Sequence, residues 1–184
     1  MIQLLDWQLT IPDGKRKPFA TTFVSLGAQL DFTAAASGEI RVAIKKVEKG
    51  VFSTHAASNL KVGDAIEITA PEGRFLLNPE VHKNYIGFAA GSGITPILSM
   101  LKSVLIKEPT ATFTLIYGNK SAKDTIFYEE LNQLKETYID RLKLHYIFSR
   151  ENVKNNLRGR IDGNVTNYFV KNMYKETSFD AAYL

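Results

Sequence analysis

The chain has 184 residues, 45% of them hydrophobic, enough to bury one large core or two small ones. Its 23 Lys and Arg outweigh 19 Asp and Glu to give a net charge of +4, spread along the chain apart from Lys15-Arg16-Lys17, which favours solubility over a nucleic-acid surface. Cysteine is absent, so disulfides, thiolate nucleophiles, cysteine zinc sites and thiolate-held iron–sulfur clusters are excluded from these residues, and redox chemistry must ride on a bound organic cofactor.

No apolar run approaches the roughly 20 residues of a spanning helix. The opening MIQLLDWQLTIPDGKRK places its basic cluster after its apolar residues, opposite to a secretory signal. A cytoplasmic protein with no membrane association is expected. His55, His82 and His145 are isolated, so no metal site is expected.

In chain order, Ile40, Val42 and Ile44 alternate with Arg41 and Lys45, and Ile66 and Ile68 alternate with Glu67 and Thr69. These are half-buried strands of a small antiparallel barrel or sandwich, with turns at Gly50, Gly63 and Pro71-Glu72-Gly73. Between them Ser53 is expected to cap a short helix running to about Leu60. From Asn84 the rhythm becomes strand, helix, strand, helix. Tyr85 to Ala90 is a buried parallel strand, and Gly91-Ser92-Gly93 a tight turn. Thr95 caps the following helix, whose stripe is Ile97, Leu98, Leu101, Val104 and Leu105.

A second strand spans Thr112 to Tyr117. A helix that Asp124 could cap then carries Phe127, Leu131, Leu134 and Tyr138, and Leu142 to Phe148 forms a third strand. Val165, Tyr168, Phe169 and Met173 form the last helical stripe, and Phe179 to Leu184 a fourth strand. The fold class is an antiparallel β-barrel, apparently incomplete, followed by a doubly wound parallel-sheet α/β domain. The expected boundary separates residues 1–80 from 81–184.

Four motifs carry chemistry. The turn GSGITP, Gly91 to Pro96, opens a helix at the sheet's C-terminal edge, where an anion binds well, although glycine turns of this kind often bind nothing. It is neither a nucleoside-triphosphatase loop nor GxGxxG. Tyr117-Gly118-Asn119 ends the second strand, and is either a ligand approach or a turn. Ser149-Arg150, with Arg160, suits a terminal phosphate and would favour NADPH; the alternative is Arg150 paired with Glu151. Gly50-Val51-Phe52-Ser53 stands at a helix start that could meet another phosphate, or could be a cap alone.

The order and spacing of GEIRVAIKKV, GVFST, VGDAIEITAPEGRF, AAGSGITPILSM, YGNKSAKDTIFYEEL, FSRE and GRID resemble the ferredoxin–NADP reductase superfamily, most closely its phenylacetyl-CoA oxygenase reductase branch. The resemblance covers about Gly38 to Leu184. It implies a FAD-binding barrel and a nicotinamide-nucleotide domain. A hydride would pass from NADPH, or NADH, to FAD, and single electrons would then leave to an iron–sulfur protein or to a ferredoxin-like domain outside these residues. It implies that Gly91, Ser92, Gly93, Ile94, Thr95 and Pro96 meet the nicotinamide ribose and pyrophosphate, with Thr95 the catalytic contact near the flavin. Tyr117, Gly118 and Asn119 would line the same crevice. Ser149, Arg150 and Arg160 would hold the adenosine end, and Lys45, Val47, Gly50, Val51, Phe52 and Ser53 would border FAD.

The chain departs from the family pattern in two places. GAQLDFTAAASGEI stands where the family has Arg-x-Tyr-Ser, and Asp180-Ala181-Ala182-Tyr183-Leu184 stands where the family continues into Cys-Gly-Pro. The residues are therefore expected to be part of a longer polypeptide. The competing expectation is a nucleotide-binding sensor or interaction module of the same fold that has lost its flavin site. The sequence carries no signature for an oligomeric state.

Overall fold

The structure, a computed structural model, describes residues 2–7, 28–31, 40–45, 48–64, 75–77, 83–152 and 157–184, with side chains from residue 48 onward except that of Phe52. The chain divides into two compact units, Met1–Leu77 with Leu98–Ser103, and Asn78–Ile97 with Val104–Leu184.

In the first unit, β1 (Ile2–Trp7), β2 (Ala28–Asp31) and β3 (Ile40–Lys45) form an antiparallel sheet in the order β1-β3-β2, with Trp7 opposite Ile40 and Ala28 opposite Ile44. The alternating stretch Ile40 to Lys45 is thus a strand; the alternation at Ile66 to Thr69 lies outside the described residues. Helix α1 (Val51–Ser58) follows. Its cap position is Gly50, with no side-chain cap, whereas Ser53 is buried within the first turn. The expected serine cap is therefore displaced: the helix starts three residues earlier than Ser53 requires.

The second unit is built on a parallel sheet of β4 (Asn84–Ala90), β5 (Thr112–Asn119), β6 (Leu142–Phe148) and β7 (Ala181–Tyr183), in the order β6-β5-β4-β7. Counted within this unit the order is 3-2-1-4, so the winding reverses between β4 and β7. Ligands of open α/β sheets bind beyond the strand carboxyl ends at such a reversal. Tyr85 to Ala89 and Phe113 to Gly118 are buried, as strands covered on both faces require. One face packs Ile86, Phe88, Ile116, Ile147 and Phe169 together, supported by Ile161, Val165, Tyr174 and Phe179. On the other, Tyr85 and Phe113 stack with ring centroids 6.0 Å apart.

Helix α2 (Ile94–Lys107) starts directly from the 3₁₀ turn Gly91–Gly93. Its cap position is Gly93, not Thr95, whose hydroxyl turns back to the Ser92 carbonyl at 3.4 Å. Helix α3 (Tyr128–Thr137) is likewise not capped by Asp124. That carboxylate accepts from the Ser121 hydroxyl, and the cap position is Phe127 in a left-handed conformation at φ +60°.

The last helical stripe also differs from expectation. Helix α4 (Gly163–Asn167), capped by the Asp162 carboxylate on the Val165 N–H, widens into a π-helical stretch over Tyr168–Met173. The longer period turns Tyr174 toward the core and leaves Tyr168 and Met173 exposed. No helix among the described residues is long and apolar enough to cross a membrane.

Candidate functional site at the strand carboxyl ends

Three strand ends meet at one edge of the parallel sheet, because the register sets Ala90 beside Gly118 and Asn119 beside Phe148. At the end of β4 the backbone turns at Gly91, whose φ of +52° favours glycine, and enters α2. Gly93 has an ordinary helical conformation at φ −64°, and a Cβ built on it meets nothing within 4 Å. Neither backbone strain nor internal packing therefore requires glycine at 93. Its missing side chain leaves open space at a helix start that no side chain caps.

The end of β5 is divided between internal and outward roles. Tyr117 is fully buried, and its hydroxyl donates to the Gly91 carbonyl at 2.9 Å, with the Ile126 carbonyl a longer second acceptor at 3.4 Å. Burial pushes its pKa up to about 12, so it remains a protonated donor at neutral pH. Gly118 is explained by packing: a Cβ there would lie 3.2 Å from two side-chain carbons of Ile161. The space over Gly118 is thus bordered by a side chain of the protein itself. Asn119 differs, since its amide nitrogen, buried close to the Tyr117 hydroxyl, makes no well-formed hydrogen bond among the described residues. A buried donor left unsatisfied is costly unless a ligand or solvent takes it up.

Beyond β6 the ladder continues for two residues, with Ser149 N–H donating to Asn119 O and Arg150 N–H to Lys120 O, both at 2.9 Å. The Arg150 and Arg160 side chains are exposed. Between them in sequence, Arg158 pairs with Phe148 in an isolated parallel bridge, and Gly159, left-handed at φ +133°, donates its N–H to Phe148 O at 3.0 Å. This fold-back brings a third exposed guanidinium, Arg158, to the end of β6. The Arg-Gly-Arg run held a signal that spacing from Arg150 alone did not reveal.

Glu151, the alternative partner of Arg150, instead accepts the Ala122 N–H at 2.7 Å. Among the described residues none of the three arginines is in an ion pair. The edge thus offers open backbone at Gly93, an unsatisfied amide at Asn119 and unpaired cations, a donor set that fits an anionic dinucleotide.

On the first unit, Lys45 ends β3, and Val47 and the side chain of Phe52 lie outside the described residues. Gly50 and the largely exposed Val51 stand at the uncapped start of α1, while Ser53 is buried. An uncapped helix start bearing no acidic residue in its first turn is compatible with the phosphates of a flavin dinucleotide. No group of three or more potential metal-ligating side chains occurs among the described residues.

Comparison with known proteins agrees with this geometry. Residues 88–182, just over half of the chain, match the oxidoreductase NAD-binding domain, and residues 31–76 match the oxidoreductase FAD-binding domain. The chain is 43% identical over 129 residues to a component of the 1,2-phenylacetyl-CoA epoxidase of Escherichia coli, covering 68% of this chain and 36% of that protein. It is 33% identical over 141 residues to NADH-cytochrome b5 reductase 1 of Lodderomyces elongisporus, covering 76% of this chain and 44% of that protein. It therefore spans less than half the length of both relatives. Among solved structures, the cytochrome b5 reductase domain of Ulva prolifera nitrate reductase superposes with a TM-score of 0.60 at 25% identity, over 70% of this chain and 57% of that one. With both domain types matched in order and a parallel sheet reversing beside a glycine turn, the chain belongs to the ferredoxin–NADP reductase family of FAD- and NAD-binding oxidoreductases.

Proposed function

We propose that this chain is the cofactor-binding part of a cytoplasmic FAD-dependent NAD(P)H oxidoreductase that delivers electrons to an iron–sulfur acceptor, either a separate protein or a ferredoxin-like domain outside these residues. Its similarity to the phenylacetyl-CoA epoxidase component suggests the reductase of an oxygenase in phenylacetate degradation. Residues 1–80 would hold FAD and residues 81–184 the nicotinamide nucleotide. The observation that carries the reading is the Gly91–Gly93 turn at the reversal of the sheet, with open space at Gly93 and the Asn119 amide unsatisfied beside it.

In this reading the backbone of Gly91 to Pro96 holds the ribose and pyrophosphate, and the Asn119 amide donates to the same ligand. Ser149, Arg150 and Arg160, joined by Arg158, take the adenosine end, where unpaired guanidinium groups favour NADPH over NADH. Gly50 to Ser53, with Lys45 and Val47, border FAD. FAD, once bound, supplies hydride acceptance and the release of electrons one at a time, so the chain needs no strong acid or base. Thr95 would serve the reacting end; it is fully buried, and its hydroxyl makes a long hydrogen bond to the Ser92 carbonyl.

The complete gene-encoded protein should be purified and its flavin absorption followed under anaerobic addition of NADPH. A yellow protein bleached by NADPH supports the reading, and a colourless protein that takes up no FAD sinks it. The absence of Arg-x-Tyr-Ser favours one other reading, a nucleotide-binding sensor or interaction module without flavin. That reading expects calorimetric NADPH binding with no turnover, and electron transfer to a dye would dispose of it.

A further inference from the structure

We infer that Tyr117 is a positioning residue whose buried hydroxyl ties the Gly91–Gly93 turn to the β5–α3 loop, so that both walls of the nicotinamide crevice keep one geometry. The inference rests on the functional reading above for its ligand, but not for its geometry. Gly91, at φ +52°, and Phe127, at φ +60°, are both left-handed. For a bulky residue such as Phe127 this conformation is unfavourable and persists only where surrounding contacts over-determine it. The Tyr117 hydroxyl reaches the carbonyl of Gly91 itself at 2.9 Å and that of Ile126, immediately before Phe127, at 3.4 Å.

Its ring cannot swing away, being fully buried and 6.3 Å from Tyr146, which in turn lies 4.9 Å from Tyr128, the first residue of α3. The β5–α3 loop has further holds, Thr125 Oγ1 on Ser121 O at 2.9 Å and Glu151 on Ala122 N–H. Neither of these reaches the glycine turn. Among the described hydrogen bonds, those of Tyr117 thus join the two walls, although the residue is fully buried.

Tyr117→Phe keeps the ring and removes only the hydroxyl. In the full-length protein the expected result is a two- to tenfold rise in Kd for NADPH and NADH alike, the scale of one net hydrogen bond, with flavin content unchanged. Backbone hydrogen exchange should quicken together in residues 91–94 and 125–128, and not in β4 or β6. Unchanged coenzyme Kd overturns the inference, as does faster exchange in only one of the two segments. A fall in Tm with exchange quickened throughout the sheet overturns it too, because it marks a general packing role. If the unaltered protein binds no nicotinamide nucleotide, the functional reading fails, and paired exchange alone decides whether Tyr117 is a tether.

Discussion

Ile97 of α2 lies so close over Gly87 of β4 that a Cβ on the glycine would stand 2.9 Å from its Cγ2. Phe113 of β5 closes the same space, with Cε1 at 3.0 Å. Helix and sheet can approach this far because one strand residue has no side chain. Gly87→Ala should therefore destabilise the protein by about 1 to 3 kcal/mol, the usual cost of overpacking, as read by urea denaturation. A change within about 0.5 kcal/mol, the range of an unremarkable surface substitution, would show that Ile97 and Phe113 yield freely.

At the opposite edge, Arg141 donates to the carbonyls of Leu105 at 2.6 Å and Glu108 at 2.8 Å, and its guanidinium lies 5.0 Å from the centre of the Tyr138 ring. These are the terminal carbonyls of α2, which the helix itself cannot satisfy. Arg141→Ala should cost about 1.5 to 3 kcal/mol, the scale for hydrogen bonds from a charged donor. Because the substitution is far along the strands from Gly91, coenzyme affinity should not change, and calorimetry on the variant checks both halves of the expectation.

Much of this architecture could be read from residues alone where burial leaves a plain pattern. The nearly unbroken apolar run at Tyr85 to Ala90 and the stretch Thr112 to Tyr117 fall in parallel strands, and YGN and FSR fall at adjacent strand ends. What local pattern could not carry was set by distant partners. Ile161 packs against Gly118, and Arg158 reaches the end of β6 through a fold-back at left-handed Gly159. Met173 left its helical stripe because the helix widened to a π register. The cap residues failed for a related reason: Thr95, Asp124 and Ser53 are all capable of capping, yet glycine or left-handed backbone took each position and freed their side chains for other acceptors or for burial.

His145 of β6 should make stability fall on the acid side. Its imidazole meets the Tyr174 hydroxyl at 2.6 Å and packs against Phe169, and burial, reinforced by the charge of Lys135, holds its pKa below the usual 6.5. The unfolded chain then takes up a proton at a pH where the folded chain does not, so stability is lost as pH drops from about 6.5 through the lower folded value. Thermal unfolding at pH 7.5 and 5.5 should show the drop, and His145→Gln should flatten it. An equal drop in the variant would assign the slope to other groups.

Under the proposed function, Arg150 is expected to separate the two coenzymes. With Glu151 engaged by the Ala122 N–H, the Arg150 guanidinium has no carboxylate partner among the described residues, which would leave it open to a terminal phosphate. Arg150→Ala should weaken NADPH binding by about 1 to 3 kcal/mol and leave NADH nearly unaffected, measured by paired calorimetric titrations. Equal losses would rule out a role at the 2′-phosphate.

Gly93 gives the sharpest separation of folding from function. Its φ of −64° is available to any residue, and a Cβ there meets no protein atom within 4 Å, so Gly93→Ala imposes neither strain nor overlap. Stability should stay within about 0.5 kcal/mol, or rise slightly because the unfolded chain loses freedom. The added methyl nevertheless stands in the space where, under the proposed function, the coenzyme backbone approaches the turn. Loss of NADPH and NADH binding by about tenfold or more, with Tm maintained, is the expected outcome of titrating the variant beside a melting curve. Full coenzyme affinity in a stable Gly93→Ala protein would mean that the nucleotide does not cross this turn, and the crevice would have to be sought elsewhere along the strand ends.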